Sequence, residues 1–275
     1  MEENKYAVMR QKAKRIRYLT MDCIGTLGVG HVGGALSICD LLAVLYSGAM
    51  NVDPKNPKMP DRDRLVLSKG HAGPALYAAL ANEGFFPLDE LKTLNKPNTN
   101  LPSHADMNRT KGVDMTVGSL GQGFACAVGI ALGSKLNQDG ATIYTIIGDG
   151  ESEEGLIWEA AMAAKHYELG NFIGFTDYNK MQIDGTIADV AGLDDFQAKW
   201  EAFGWTALTV DGHSVEELDA AICYAKSQRC HGKPIMIIMN TVKGKGVRYA
   251  ENLGYANHNF SINTALKEAI LDELR

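Results

Sequence analysis

The chain has 275 residues, of which 45% are apolar and 22% charged, an ordinary balance for a soluble globular protein. That length allows one large α/β domain or two small ones, each with a sizeable core. The net charge of −6, with no basic stripe, excludes a nucleic-acid footprint and leaves any anionic ligand dependent on a local cation or on backbone N–H groups.

The N-terminal stretch MEENKYAVMRQKAKRIRYL is charged and helix-like, and lacks the apolar core of a signal peptide. No apolar run approaches the roughly 20 residues of a membrane span, so the expectation is a cytoplasmic protein without a membrane partner. Residues 5–27 read as a helix, followed by the loop GVGHVGG and a second helix, SICDLLAVLYSGA, with Ser37 as its N-cap. RLVLS (64–68) is a strand, and KGHAGPALYAALANEG turns directly into a helix closed by Gly84. Residues 86–115, with scattered Pro and Asn, form a long loop of the kind that usually carries function.

From there the pattern is regular. Helix 120–137 is followed by strand 141–148, a helix from Ser152, strand 171–179, helix 194–203, strand 205–212, a helix from Ser214 and strand 233–242. Alternating strands and helices with short connections predict a parallel sheet with helices on both faces, an α/β fold forming one domain over 1–275. The five cysteines are odd in number and show no CxxC spacing, which predicts free thiols, mostly buried in helices.

In such a sheet, ligands sit at the carboxyl ends of strands. GDGESEEG places Gly148, Asp149 and Gly150 at one strand end, and DYNKMQIDG places Asn179 at the next. If the two strands are neighbours, both side chains face one crevice. Glycines let a ligand approach the backbone, and an Asp oxygen with an Asn amide oxygen suits a hard divalent cation that shares its shell with phosphates. The pattern suggests a metal-clamped diphosphate; a lone GDG would read more readily as a tight turn with Asp149 as N-cap, and the paired Asn179 is what disfavours that reading.

Of seven histidines, His31, His71, His104 and His258 lie in Gly-rich or irregular stretches, whereas His166, His213 and His231 sit in helices or turns. Imidazoles that donate, accept or carry protons near neutral pH suit a polyhydroxylated substrate. His71 opens a helix, whose dipole favours a neutral ring. Lys243 and Lys245, in VKGKG, read as a solvated turn in preference to phosphate-side charges.

The GDG–Asn spacing is the thiamine diphosphate motif, and GDGESEEG…DYNKMQIDG resembles its transketolase version. GVGHVGG, SKGHAGPALY, LPSHADM, TVGSLGQGFACAVG and NTVKGKGV stand in the same order as similar transketolase segments, across nearly the whole chain. The resemblance implies a PP-type domain that binds thiamine diphosphate and Mg²⁺, with Ca²⁺ or Mn²⁺ as substitutes. It implies Asp149, Asn179 and the Met181 carbonyl as metal ligands, and Gly150 at the diphosphate. Gly118 and Leu120 would lie at the pyrimidine end, with Ser119 where the family commonly has proline, and Glu154 at a subunit contact beside the cofactor. His31, His71, His104 and His258 would hold the donor ketose or neighbour the thiazolium, His71 touching the cofactor as well. At His258, NHNF replaces the family's usual His-Gly.

Transketolase also carries a pyrimidine-binding domain with an activating glutamate, and no acidic residue here matches it. The Met1 start and the helical close at ALKEAILDELR lead us to expect the N-terminal subunit of a split transketolase. Its partner would be a C-terminal subunit with the pyrimidine-binding domain, in an α2β2 assembly that works on sugar phosphates of pentose phosphate type. The alternatives are a subunit of a 1-deoxyxylulose-5-phosphate synthase-like enzyme and a non-catalytic cofactor-binding assembly subunit. The histidines favour a ketose donor. A nicotinamide-binding Rossmann protein is disfavoured, because the first βα turn lacks GxGxxG.

Overall fold

The apolar runs of the sequence become the strands of one parallel sheet. In a computed structural model of the chain, describing residues 2–275, β1 (Val29–Gly30) and β7 (Phe260–Ser261) pair as a short antiparallel ribbon. The main sheet comprises β2 (Arg64–Leu67), β3 (Ile143–Gly148), β4 (Phe172–Tyr178), β5 (Thr206–Asp211) and β6 (Ile235–Asn240). Its order is β2-β3-β4-β6-β5, and every neighbouring pair is parallel.

The three inner strands are buried nearly throughout, because helices cover both faces and neither side chain of an i, i+1 pair meets water. β5, at the edge, is only partly covered. On one face Phe172 packs with Phe124, Trp200 and Trp205 from the helices Gln122–Asn137 and Phe196–Ala202 and the start of β5. On the other, Tyr144 stacks on Phe175, and the Tyr144 hydroxyl reaches Ala49 O, beside the helix Cys39–Val44. The long helix Glu2–Leu27 packs on Cys39–Val44, Gly73–Asn82 and the last helix, Thr264–Leu274.

Several boundaries differ from the sequence expectation. Ser37 is not the N-cap of the second helix but the C-cap of a short one, Gly33–Leu36; Ile38 is the N-cap of Cys39–Val44, without a side-chain bond, and the Ser37 hydroxyl donates to Asp177 at 2.6 Å. His71 lies in a 3-10 turn, Gly70–Ala72, immediately before the helix Gly73–Asn82. GDG runs into another 3-10 turn, Gly150–Glu153, so the helix starts at Gly155 and not at Ser152. Residues 86–115 are irregular apart from a 3-10 segment, Leu88–Thr93. Cys23 and Cys39 are buried, but Cys223 and Cys230 are exposed and Cys126 is intermediate, so "mostly buried" does not hold for the thiols. Among the described residues, no helix is long and apolar enough to cross a membrane.

Candidate active site

β3 and β4 are adjacent, with Gly148 opposite Asp177 in register. Asp149 and Asn179 therefore leave the sheet at neighbouring carboxyl ends, into one cleft of about 140 Å³. Asp149, Gly150, Asn179, Met181, His71, His258 and Leu120 all line it.

Asp149 is 2% exposed, and its carboxylate accepts from the N–H groups of Gly150 and Lys180. Burial, then the nearby Asp177 carboxylate, push its pKa up to about 7. Asp149 is thus a buried carboxylate held by backbone dipoles, in a place where a cation would be stabilising. The Asn179 amide oxygen accepts from Met181 N at 3.2 Å, while the Met181 carbonyl accepts from the Lys243 ammonium at 3.2 Å. Among the described residues, no group of three or more His, Cys, Asp or Glu could hold a metal. The donor set here is one carboxylate, one amide and one carbonyl, hard oxygens that suit Mg²⁺ with room for phosphate oxygens. At Gly150, which lines the cleft, a Cβ would come within 3.2 Å of Gln182 Cβ, so the turn is tight there. The residues present fit a metal-bound diphosphate.

The floor of the cleft is a network that the sequence reading missed. Asp177 is fully buried and accepts from Ser37 Oγ and Lys69 Nζ at 2.6 Å each, from Asn179 Nδ2 at 2.8 Å, and from Thr241 Oγ1. Burial alone would raise its pKa, but Lys69 and the hydroxyl donors lower it, so it is ionised. Lys69, 1% exposed, also donates to Gly34 O at 2.6 Å. The available signal was a carboxylate inside the apolar run NFIGFTDYN, where a solvated role is implausible.

Lys243 corrects the sequence reading outright. It is 4% exposed and lines the cleft instead of standing in a solvated turn. Gly33 and Gly244 allow this: a Cβ on Gly33 would meet Lys243 Cγ at 2.8 Å, and one on Gly244 would meet Asn257 Nδ2 at 2.8 Å. Asn257 in turn holds Lys243 O at 2.9 Å. Burial drives the Lys243 pKa down to about 8, against the pull of Asp149.

The four singled-out histidines come together, although they are far apart in sequence. The His31 ring centroid lies 5.5 Å from that of His71, 5.8 Å from His104 and 5.3 Å from His258, and His71 and His258 are 5.0 Å apart. Burial lowers the pKa of His31, His71 and His258, the last to about 4, with neighbouring imidazoles or lysines adding to the effect. The neutral His71 ring expected from a helix dipole is therefore the outcome of burial first, then of Lys69 and its histidine neighbours. His258 Nδ1 faces the Lys243 ammonium at 3.4 Å and acts as acceptor, which leaves the ring proton on Nε2.

The remaining expected residues divide. Leu120 is on the cleft rim, 36% exposed, whereas Gly118 is exposed and outside the lining. Glu154 is also exposed and outside the lining, before the helix Gly155–His166. The carboxylate inside is Glu151, which accepts from Ser68 Oγ, Gly121 N at 2.9 Å and Gly148 N at 3.0 Å. It joins the turn after β3 to the segment holding Leu120.

Comparison with known proteins bears on this geometry. The family described as "Transketolase, thiamine diphosphate binding domain" matches residues 8–271. The chain is 55% identical over 266 residues to a 6-deoxy-6-sulfo-D-fructose transketolase subunit from Clostridium sp. (strain MSTE9), covering 97% of this chain and 96% of that one. It is 36% identical over 241 residues to an apulose-4-phosphate transketolase subunit from Phocaeicola vulgatus, covering 88% of this chain and 85% of that one. The crystal structure of transketolase from Campylobacter jejuni superposes with a TM-score of 0.89 at 32% identity, covering 98% of this chain. The chain spans 43% of the length of that transketolase.

Proposed function

The chain belongs to the transketolase family as a thiamine diphosphate-binding domain, and from that premise we propose that it is the N-terminal subunit of a two-subunit transketolase. With a partner subunit carrying the pyrimidine-binding domain, it transfers a two-carbon ketol unit from a ketose to an aldose. The observation that carries this reading is a cluster of four imidazoles, two of them lining the cleft, beside a hard-oxygen donor set at two adjacent strand ends.

When bound, thiamine diphosphate supplies the carbon nucleophile that takes up the two-carbon unit. Asp149, Asn179 Oδ1 and the Met181 carbonyl would hold Mg²⁺ for the diphosphate, and Lys243, which lines the same cleft, would add a positive charge. His31, His71, His104 and His258 would face the sugar, where imidazoles can hydrogen-bond its hydroxyls. His258 offers its Nε2 proton, since Nδ1 is engaged by Lys243. Burial lowers the pKa of His31, His71 and His258, which favours the neutral rings that accept from a donor hydroxyl as well as position it.

The two similar subunits are named for a sulfonated and a phosphorylated sugar. The substrate class for this chain is accordingly a ketose with a strong anion at the end remote from the ketol unit. Exposed Leu120 and Ile183 at the cleft rim fit a site that a second chain covers. The test is reconstitution: the chain, Mg²⁺, thiamine diphosphate, an aldose phosphate acceptor and either 6-deoxy-6-sulfo-D-fructose or fructose 6-phosphate as donor. No turnover is expected without a pyrimidine-domain subunit, and saturable turnover with it. Robust turnover by the isolated chain would refute the two-subunit reading, and the preferred donor distinguishes sulfonate from phosphate.

A further inference from the structure

Among the described residues, Asp177 joins four separate segments of the cleft, yet it is not one of the expected metal ligands. Ser37 brings the segment that follows His31 and Gly34, Lys69 the turn with His71, Asn179 the end of β4, and Thr241 the turn with Lys243. All four donate to one carboxylate, and none of its partners is water-exposed. Burying a charge with this many donors is costly unless the arrangement is needed.

The Asn179 amide shows what the arrangement does. A carboxamide has one end that accepts and one that only donates, and a metal tolerates only the first. Asn179 Nδ2 lies 2.8 Å from Asp177 Oδ2, an oxygen that already accepts from Ser37 Oγ and Lys69 Nζ. Asn179 Oδ1 lies 3.2 Å from Met181 N, a group that can only donate. Turning the amide over would set an oxygen against a carboxylate and an NH₂ against an N–H. Both neighbours thus enforce one orientation, in which a lone pair of Oδ1 stays available to the cleft beside Asp149.

We propose that Asp177 is a positioning residue: it locks the Asn179 amide with its oxygen toward the metal site, while Lys69, Ser37 and Thr241 hold the Asp177 carboxylate in place. This rests on the metal–diphosphate reading above. It adds a residue to that site which touches neither metal nor cofactor and acts through Asn179.

Removing Asp177 alone would strand the Lys69 charge and confuse orientation with unfolding, so the test uses two double variants of the full chain. Lys69→Met/Asp177→Asn and Lys69→Met/Asp177→Leu both delete the ion pair at similar volume, and differ in whether an acceptor faces the Asn179 NH₂. Calorimetric titration with thiamine diphosphate should find the Leu-bearing pair about 10–100-fold weaker than the Asn-bearing pair when Mg²⁺ is present, the usual loss for a partner that orients a ligand. Without metal the two should bind alike, a split that general loss of structure would not produce. In the unliganded, ¹⁵N-labelled chain, the Asn179 side-chain NH₂ should exchange slowly in wild type and in the Asn-bearing pair, and fast in the Leu-bearing pair. Equal Mg²⁺-dependent affinity in the two pairs, or equal NH₂ protection, overturns the positioning role. A wild-type chain indifferent to thiamine diphosphate with any metal refutes the proposed function, and the exchange rates then still decide the orientation claim.

Discussion

The ends of β3 and β4 each carry a buried aspartate in the same cleft, and the two are electrostatic opposites. Asp177 is saturated by an ammonium, two hydroxyls and an amide, and its pKa is lowered. Asp149 receives only backbone N–H groups, and its pKa rises to about 7. The difference teaches where a ligand belongs. A buried carboxylate whose partners are complete holds the fold, whereas one left short of positive charge marks a place that a cation completes.

The largest effect expected from this contrast is on binding. Asp149→Asn should abolish Mg²⁺-dependent thiamine diphosphate binding by calorimetry, while leaving the circular dichroism spectrum unchanged. If affinity and metal dependence survive, Asp149 is not the cation's partner and the contrast loses its meaning.

Next, Asp177→Ala should destabilise the unliganded chain by about 3–5 kcal/mol in denaturant titration, because Lys69 is left buried and unpaired. A loss as small as that of a surface substitution would mean that the ion pair is not the structural member of the two.

At the histidines, His71→Ala and His104→Ala should slow ketol transfer in the assembled enzyme by about 10²-fold or more, with far less effect on cofactor affinity. Parallel losses in turnover and affinity would assign these rings to holding the cofactor.

A smaller effect sharpens the contrast from the stability side. The folded pKa of Asp149 lies above the ordinary value of 3.8, so its ionisation opposes folding as pH rises from there through about 7. Asp149→Asn should therefore raise the melting temperature of the metal-free chain at neutral pH, even as it destroys binding. A lowered melting temperature would show that the carboxylate is needed structurally after all.

The smallest effect concerns the imidazoles. His31, His71 and His258 are lowered in the fold, so the unfolded chain takes up protons first, near 6.5, while His258 resists to about 4. Their contribution is complete above 6.5 and is lost as pH falls toward 4. Melting temperature should decline across that window, and His258→Gln should make the decline shallower.

Sequence alone determined those features that depend on near neighbours and on residue type. Apolar runs of strand length separated by helical patterns sufficed for the parallel sheet, since burial on both faces leaves a continuous apolar signature. The GDG and Asn179 were legible because each closes such a run, and the four histidines because each interrupts a glycine-rich or irregular stretch. What the chain order could not convey was which polar residues lose their water. Lys243 in VKGKG has the local look of a solvated turn, and it is buried because Gly33 and Asn257, from distant segments, close over it. Ser37 has the look of a helix cap, and Asp177, 140 positions away, claims its hydroxyl. Glu151 and Glu154 stand three residues apart in one acidic run, yet the 3-10 turn sends the first inward to Ser68 and Gly121 and leaves the second exposed. Burial and hydrogen-bond partnership are properties of through-space neighbours, so only the packed tertiary structure could decide which of these charges serve the cleft and which serve the surface.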